Sequence, residues 1–153
     1  MKFIFSLLVL FFLFQSCGSP KKVVEKTGLK TIVSKYSGKN SATINSVLKD
    51  AENYIGVPYK YGGNTSSGFD CSGFVCKVYL ENDKKLARSS SDQALEGEEI
   101  DEKEIKPGDL LFFATSGGSK VSHVGIVHDI GNDGEVKFIH ASTSKGVMIS
   151  SLN

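Results

Sequence analysis

The chain has 153 residues, of which 40% are hydrophobic, and this size suits one compact domain with short extensions better than two domains. Its 18 Lys and Arg residues nearly balance its 17 Asp and Glu residues, for a formal net charge of +1. Such a small charge exerts no strong attraction on a polyanion, so the composition argues against a nucleic-acid partner.

The N-terminus has the pattern of an export signal. Lys2 precedes an apolar run over residues 3–14, which fits a secretory signal and falls short of the roughly 20 residues that a membrane-spanning helix needs. The run leads into Gln15-Ser16-Cys17-Gly18, which resembles a bacterial lipoprotein signal. We therefore predict a signal peptide over residues 1–16 and acylation of Cys17. The alternative is an ordinary cleavage site with an incidental cysteine.

Three cysteines are an odd number for an exported protein built on disulfides. With Cys17 assigned to the lipid, Cys71 and Cys76 remain. On one helix these two would point about 140° apart, at about 100° per residue. A disulfide between them is then unfavourable, so we expect at least one free thiol.

Helical signals lie in the first two thirds of the chain. Apolar residues recur at spacings of three and four, as in amphipathic helices, on both sides of a glycine-rich stretch. In chain order we predict a tether (17–41), a helix from Ala42 that ends before Gly56 and Pro58, a loop (59–69), a second helix (72–81) and a short helix around residues 92–95.

Strand signals follow the helical ones. Short apolar or alternating runs are separated by turn residues such as Lys106-Pro107-Gly108-Asp109. Because helices come first and strands after, we predict an α+β fold with the N-terminal helices packed on a small antiparallel sheet. The predicted strands cover residues 110–114, 121–130, 135–141 and 147–150.

Cys71 lies where the glycine-rich loop meets the second predicted helix. Free backbone N–H groups and the helix dipole favour negative charge at such a position, which predicts a lowered thiol pKa. Cys71 precedes Val75 by four residues and Val78 by seven, so its sulfur should face a crevice between helix and sheet. The alternative is a small buried hydrophobic residue, which is the interpretation we adopt for Cys76.

The chain has three histidines to serve as a base for this cysteine. His123 and His128 are an odd number of residues apart, so on one strand they face opposite sides of the sheet. If the next loop is the four residues 131–134, His140 falls opposite Gly125, and His123 and His140 become diagonal neighbours on one face. A loop one residue longer or shorter would separate them.

Five motifs in order resemble the NlpC-type cell-wall peptidases, a papain-like family, and the resemblance covers residues 42–153. We interpret this range as the catalytic domain. The motifs are Gly56-Val57-Pro58-Tyr59-Lys60-Tyr61-Gly62-Gly63, Phe69-Asp70-Cys71-Ser72-Gly73-Phe74-Val75, Lys106-Pro107-Gly108-Asp109-Leu110, Ser122-His123-Val124-Gly125-Ile126 and Phe138-Ile139-His140-Ala141-Ser142.

The resemblance implies roles for six residues. It makes Cys71 the nucleophile, His123 the base and His140 the residue that orients the base. It places Tyr59 where it helps to bind substrate or the oxyanion, and Asp70 and Ser72 at the substrate end.

The implied substrates are peptides of the peptidoglycan stem or cross-link, which contain D-amino acids and a diamino acid. No metal or cofactor is implied. Together with Cys17, the resemblance predicts a protein held by lipid at a membrane of the bacterial envelope, facing the peptidoglycan.

Two other classes of function remain. The first is a zinc module, because Cys71 and Cys76 have the same spacing as His123 and His128, a spacing that suits metal ligands taken pairwise. An inactive wall-binding lipoprotein of the same fold is the second, since a fold does not determine an activity.

Overall fold

The computed structural model describes residues 40–152 and, nearer the N-terminus, the two-residue strand Val24–Glu25. The predicted signal peptide and Cys17 lie outside the described residues, as does most of the predicted tether. In chain order the elements are β1 (Val24–Glu25), α1 (Ala42–Glu52), β2 (Asn64–Thr65), β3 (Gly68–Phe69), α2 (Cys71–Glu81), α3 (Ser90–Glu96), a 3₁₀ turn (Glu102–Glu104), β4 (Leu110–Ala114), β5 (His123–Ile130), β6 (Val136–Ser142) and β7 (Gly146–Ser151).

The main sheet has the strand order β1-β4-β5-β6-β7. Strands β4 to β7 pair with their neighbours in antiparallel fashion, which confirms the predicted α+β fold. Strand β1 pairs in parallel with β4, and Val24 lies opposite Phe113. This parallel edge, inside the segment predicted as a tether, was not predicted. In the part of the chain that the structure describes, no helix combines the length and apolar character needed to cross a membrane.

Helix α1 begins and ends at identifiable signals. The hydroxyl of Ser41 accepts a hydrogen bond from the backbone N–H of Ile44, which satisfies one of the free donors of the first turn. The helix ends at Glu52, before Ile55, which is 49% exposed. The predicted helix, which runs up to the residue before Gly56, is therefore too long at its end, because the chain turns at Gly56, whose φ is +88°.

The core lies between helices α1 and α2 and one face of the sheet. Phe74, Val75 and Val78 of α2 are fully buried there, as the predicted apolar face requires. The hydroxyl of Tyr79 donates to the carbonyl of Gly108, so α2 is also tied to the turn before β4. The sheet residues that complete this core are Val124, Ile126, Ile139, Ala141 and Val147.

The predicted loop 59–69 contains a small hairpin. Strands β2 and β3 pair in antiparallel fashion around a two-residue turn. Phe69 is fully buried and contacts Tyr54 and Phe74 edge to face. The aromatic contact holds the hairpin on the helices and brings the preceding loop beside the start of α2.

The connection between β5 and β6 departs from prediction in two ways that cancel. Ile130 pairs with Val136, so the turn has five residues, 131–135, and the predicted loop of four is wrong. A β-bulge at His128 then inserts one extra residue into β5. Beyond the bulge Ile126 pairs with Ile139, and this register places Gly125 opposite His140, as predicted.

Candidate active site

Cys71 is the first residue of α2, and its neighbours form the junction with the preceding loop. The carboxylate of Asp70 accepts a hydrogen bond from the backbone N–H of Gly73 at 2.6 Å, which caps the helix. The backbone N–H of Asp70 donates to the carbonyl of Gly63 at 3.0 Å. A Cβ at position 73 would lie 2.1 Å from that same oxygen. Only glycine at position 73 therefore lets the loop approach the helix so closely.

The sulfur of Cys71 faces the start of β5. It lies 3.9 Å from the carbonyl oxygen of Ser122, and the backbone N–H of Val124 donates a hydrogen bond to it. These two residues flank His123 in the chain. The sulfur therefore lies where α2 meets the start of β5, in contact with the residues on both sides of the candidate base.

Burial raises the pKa of the Cys71 thiol, which is 8% exposed, and the charge of Asp70 adds to this effect. Hydrogen bonds from the backbone N–H groups of Val124, Ser72 and Cys71 act in the opposite direction. The prediction of a lowered pKa for Cys71 is therefore wrong for the chain without substrate, because desolvation of the thiolate outweighs the hydrogen-bond donors at the helix start. At neutral pH Cys71 is a thiol.

The two candidate histidines meet on one face of the sheet. Nε2 of His123 lies 2.8 Å from Nδ1 of His140, and their rings are nearly perpendicular, at 89°. Nε2 of His140 in turn lies 2.9 Å from the hydroxyl of Ser150. Since Nε2 of His123 is engaged, Nδ1 is the ring nitrogen left for the thiol.

Two aromatic side chains accompany the histidines. The ring of Phe138 lies 4.7 Å from that of His140, and the ring of Phe113 lies 6.1 Å from that of His123. Burial lowers the pKa of His123 and lowers the pKa of His140 to about 4, the latter with a contribution from His123. Both imidazoles are neutral at neutral pH, which is the form in which a histidine accepts a proton.

Tyr59 lies near enough to Cys71 to interact with it electrostatically, and the role in binding that the resemblance implies for it stays a prediction. Tyr59 is half-buried, and its backbone pairs with that of Phe69 in a parallel β-bridge, next to Asp70 in the chain. Burial raises its pKa, and the negative charges that Cys71 and Asp70 carry when ionised raise it further. The phenol therefore keeps its proton at neutral pH and is able to donate a hydrogen bond.

Arg88 is a site residue that the sequence reasoning missed. Its guanidinium contacts both carboxylate oxygens of Asp70, at 3.0 and 2.6 Å, and the hydroxyl of Ser72 at 3.0 Å. Asp70 and Ser72 are thus held together beside Cys71 by one cation. The available signal was that Arg88 is the single arginine of the chain, since arginine is the side chain suited to a two-point contact with a carboxylate.

The residues of the zinc alternative have separate partners. The Cys76 sulfur lies 3.1 Å from the carbonyl of Ala87, and His128 bonds Glu52 of α1 at 2.7 Å, away from the histidine pair. Within residues 40–152 and 24–25, no three His, Cys, Asp or Glu side chains converge as metal ligands do. The described part of the chain thus offers no donor cluster for zinc.

Comparison with known proteins identifies the family. Residues 56–153 match the model of the NlpC/P60 family, so the chain belongs to this family of cell-wall endopeptidases. Helix α1 precedes the matched region, yet its residues Val47, Leu48 and Ala51 pack in the same core.

Two curated relatives come from Escherichia coli strain K12. The chain is 47% identical to the protein named "Probable endopeptidase NlpC" over 74% of this chain and 72% of the relative. It is 41% identical to "Murein DD-endopeptidase MepS/Murein LD-carboxypeptidase" over 70% of this chain, and it covers 54% of that relative. The chain therefore spans about half of the second relative.

Solved structures have the same fold. The NlpC/p60 domain of the peptidoglycan hydrolase SagA superposes with a TM-score of 0.61 at 35% identity, covering 71% of this chain and 89% of that one. RipD from Mycobacterium tuberculosis, described as a non-catalytic NlpC/p60 domain protein, superposes with a TM-score of 0.62 at 21% identity, covering 74% and 91%. At that identity the likeness to RipD concerns the fold alone.

Proposed function

We propose that the protein is a cysteine endopeptidase that cleaves peptide bonds in peptidoglycan stem peptides or cross-links. The observation that carries the proposal is the contact of the Cys71 sulfur with the two residues flanking His123, whose Nε2 lies 2.8 Å from Nδ1 of His140. A nucleophile, a base and an orienting group in this order are the arrangement that covalent catalysis requires. The names of the relatives support a hydrolase of peptidoglycan.

In the proposed reaction, Cys71 attacks the carbonyl carbon of the peptide bond while Nδ1 of His123 takes the thiol proton. Backbone N–H groups at the start of α2 and the Tyr59 hydroxyl stabilise the oxyanion. His123 then gives its proton to the leaving amine, and the C–N bond breaks to leave a thioester on Cys71. Next, His123 removes a proton from water, the water attacks the thioester, and the thiolate departs and recovers that proton.

The resting pair in this mechanism is neutral. Burial raises the pKa of Cys71 and lowers the pKa of His123, so both effects disfavour a thiolate–imidazolium pair before substrate arrives. The proton moves when the attack begins, because the developing oxyanion and the donors around it compensate for the separated charge.

The substrate end of the proposed site is the junction beside Cys71. Asp70 and Ser72 lie there, and Arg88 contacts both. Arg88 neutralises the carboxylate while its own side chain remains 44% exposed. A peptide in this crevice therefore meets polar groups whose geometry is set before it binds.

Cleavage assays with purified muropeptides test this proposal. We expect the full chain to release stem-peptide fragments identifiable by mass spectrometry and the Cys71→Ala variant to release none. Cys76→Ala is the matched control, because Cys76 is a thiol on the same helix whose contacts are with Ala87 and Gln93. Retained cleavage in Cys71→Ala would exclude this nucleophile, and the masses of the wild-type products identify the bond.

We further propose that the protein is exported and acylated on Cys17, which holds the domain at a membrane of the bacterial envelope. The support is the N-terminal pattern of a charged residue, an apolar run and Gln15-Ser16-Cys17-Gly18. Fractionation of cells tests it: the wild type should stay with membranes, and Cys17→Ala should leave them. An unacylated N-terminal peptide in the wild type would contradict the proposal.

One observation favours the second candidate, an inactive wall-binding domain. The Cys71 thiol is buried and its pKa is raised, as in an inert structural cysteine. The same assays separate the candidates, because an inactive domain would pull down with purified peptidoglycan and release no fragments.

A further inference from the structure

Ser150 of β7 extends the row of polar groups behind the proposed base. It pairs with Phe138 in the ladder between β6 and β7, so its side chain stands on the same face of the sheet as Phe138 and His140. Its hydroxyl lies 2.9 Å from Nε2 of His140. The sheet therefore aligns Ser150, His140 and His123 in one hydrogen-bonded chain that ends near Cys71.

The direction of this chain determines what His123 can do. To take a proton on Nδ1, a neutral His123 must carry its own proton on Nε2 and donate it to Nδ1 of His140. His140 must then carry its proton on Nε2, where Ser150 is the acceptor. In the reverse direction, His140 carries its proton on Nδ1, which forces His123 to carry its proton on Nδ1 and blocks acceptance from the thiol.

We propose that Ser150 is a positioning residue that holds His140 in the Nε2–H tautomer and, through it, keeps Nδ1 of His123 free to accept a proton. This inference rests on the proposed role of His123 as the base. Without the Ser150 hydroxyl, both tautomers of His140 keep their hydrogen bond to His123, but the Nε2–H tautomer leaves an N–H donor without an acceptor in a half-buried place. As for backbone groups, an unpaired buried N–H is tolerated less well than an unpaired acceptor, so the Nδ1–H tautomer becomes the favoured one. Ser150→Ala therefore shifts both rings towards the unproductive direction.

The next residue supplies a matched control. Ser151 follows Ser150 on β7, and successive side chains of a strand point to opposite faces. Its hydroxyl donates to the carboxylate of Glu135 at 2.6 Å. Ser151→Ala thus removes an equivalent hydroxyl and hydrogen bond one position along the strand. Ser150→Thr keeps a hydroxyl at the proposed position and is the conservative variant.

The test combines a spectroscopic readout with a chemical one on the full chain. Nitrogen chemical shifts of the ¹⁵N-labelled imidazoles at neutral pH report which nitrogen of each neutral ring carries the proton. We expect Nε2–H on His140 and His123 in the wild type, Ser150→Thr and Ser151→Ala, and a shift to Nδ1–H in Ser150→Ala. Alkylation of Cys71 by iodoacetamide should fall about tenfold in Ser150→Ala alone, less than the roughly 10²–10⁴-fold contribution of a general base.

An unchanged tautomer of His140 in folded Ser150→Ala would overturn the inference, and so would an unchanged alkylation rate. Thermal unfolding like that of the wild type verifies that Ser150→Ala is folded. If Ser150→Ala does not fold, Ser150→Thr provides the test, because loss of the Nε2–H tautomer of His140 in that variant would also overturn the inference. The tautomer readout needs no substrate. A tautomer shift in Ser150→Ala together with muropeptide cleavage by Cys71→Ala would therefore support the role of Ser150 while excluding the proposed nucleophile.

Discussion

Nε2 of His123 lies 2.8 Å from Nδ1 of His140, although the two residues are diagonal neighbours in the sheet and not direct partners. The contact spans two strands because the residue opposite His140 is Gly125, which has no side chain to stand between the rings. A Cβ at position 125 would lie 2.7 Å from the ring of Phe138 and 3.1 Å from Cβ of His140. The alignment of the histidines thus depends on a small residue between them.

Gly125→Ala tests this dependence. We expect it to cost about 1–3 kcal/mol of stability, as overpacking of a tight site does, and to weaken Cys71 alkylation by displacing His140. Urea unfolding and the alkylation rate measure the two effects. Gly97→Ala is the control, because a Cβ there meets no atom within 4 Å. Equal stability and equal alkylation rates in the two variants would show that the histidine pair does not depend on the absence of a side chain at position 125.

The pKa of His140 predicts a loss of stability in acid. Burial lowers this pKa from 6.5 to about 4 in the folded chain. Between these values the unfolded chain binds a proton that the folded chain does not, so stability is fully present above about 6.5 and falls as the pH falls towards about 4. Replacing His140 by Asn should flatten the fall. Urea unfolding across this interval measures it, and identical curves for wild type and variant would contradict the assignment.

Asp70 combines a helix cap with an ion pair, and two substitutions separate them. Asp70→Ala removes both and should cost about 1–2 kcal/mol, the usual value of a cap. Asp70→Asn keeps a capping oxygen for Gly73, but it removes the charge and replaces the oxygen that accepts from Nη2 of Arg88 with an NH2 group. Because Arg88 is 44% exposed, this loss should stay within about 1 kcal/mol. Urea unfolding measures the stability of both variants. An Asn variant as unstable as the Ala variant would contradict a role of Asp70 as a helix cap.

Much of the fold follows from local signals. The apolar face of α2, its start beside Cys71 and the strands β4 to β7 are predicted by spacing and turn residues, because helix and strand patterns differ in period. The predicted ends of helices were less accurate. Ile55 lies outside α1 although it is apolar, because the chain turns at Gly56.

The histidine pairing was predicted through a loop length that proved wrong. The extra turn residue and the bulge at His128 shift the register in opposite directions, so the predicted partner of Gly125 survived. No local pattern marks a bulge here, since its only effect is on how one strand matches another. The sequence alone therefore did not determine whether His123 and His140 lie on the same face of the sheet.

The electrostatics of the site depend on tertiary burial, which sequence position does not report. A helix start predicts a low thiol pKa for Cys71, but the packed sheet and helix desolvate the sulfur and raise it. Arg88 was missed for a related reason. Its contact with Asp70 joins residues 18 positions apart, and no short motif links them.

The most direct test of the account is the alkylation rate of Cys71 measured against pH in the wild type and in His123→Ala, with Cys76 as an internal reference resolved by peptide mass spectrometry. Since burial raises the pKa of both thiols, neither should react quickly at neutral pH unless a base assists it. We predict that Cys71 reacts faster than Cys76 at neutral pH in the wild type and loses this advantage in His123→Ala. Equal rates for Cys71 in the two proteins across the pH range would contradict a catalytic pair of Cys71 and His123.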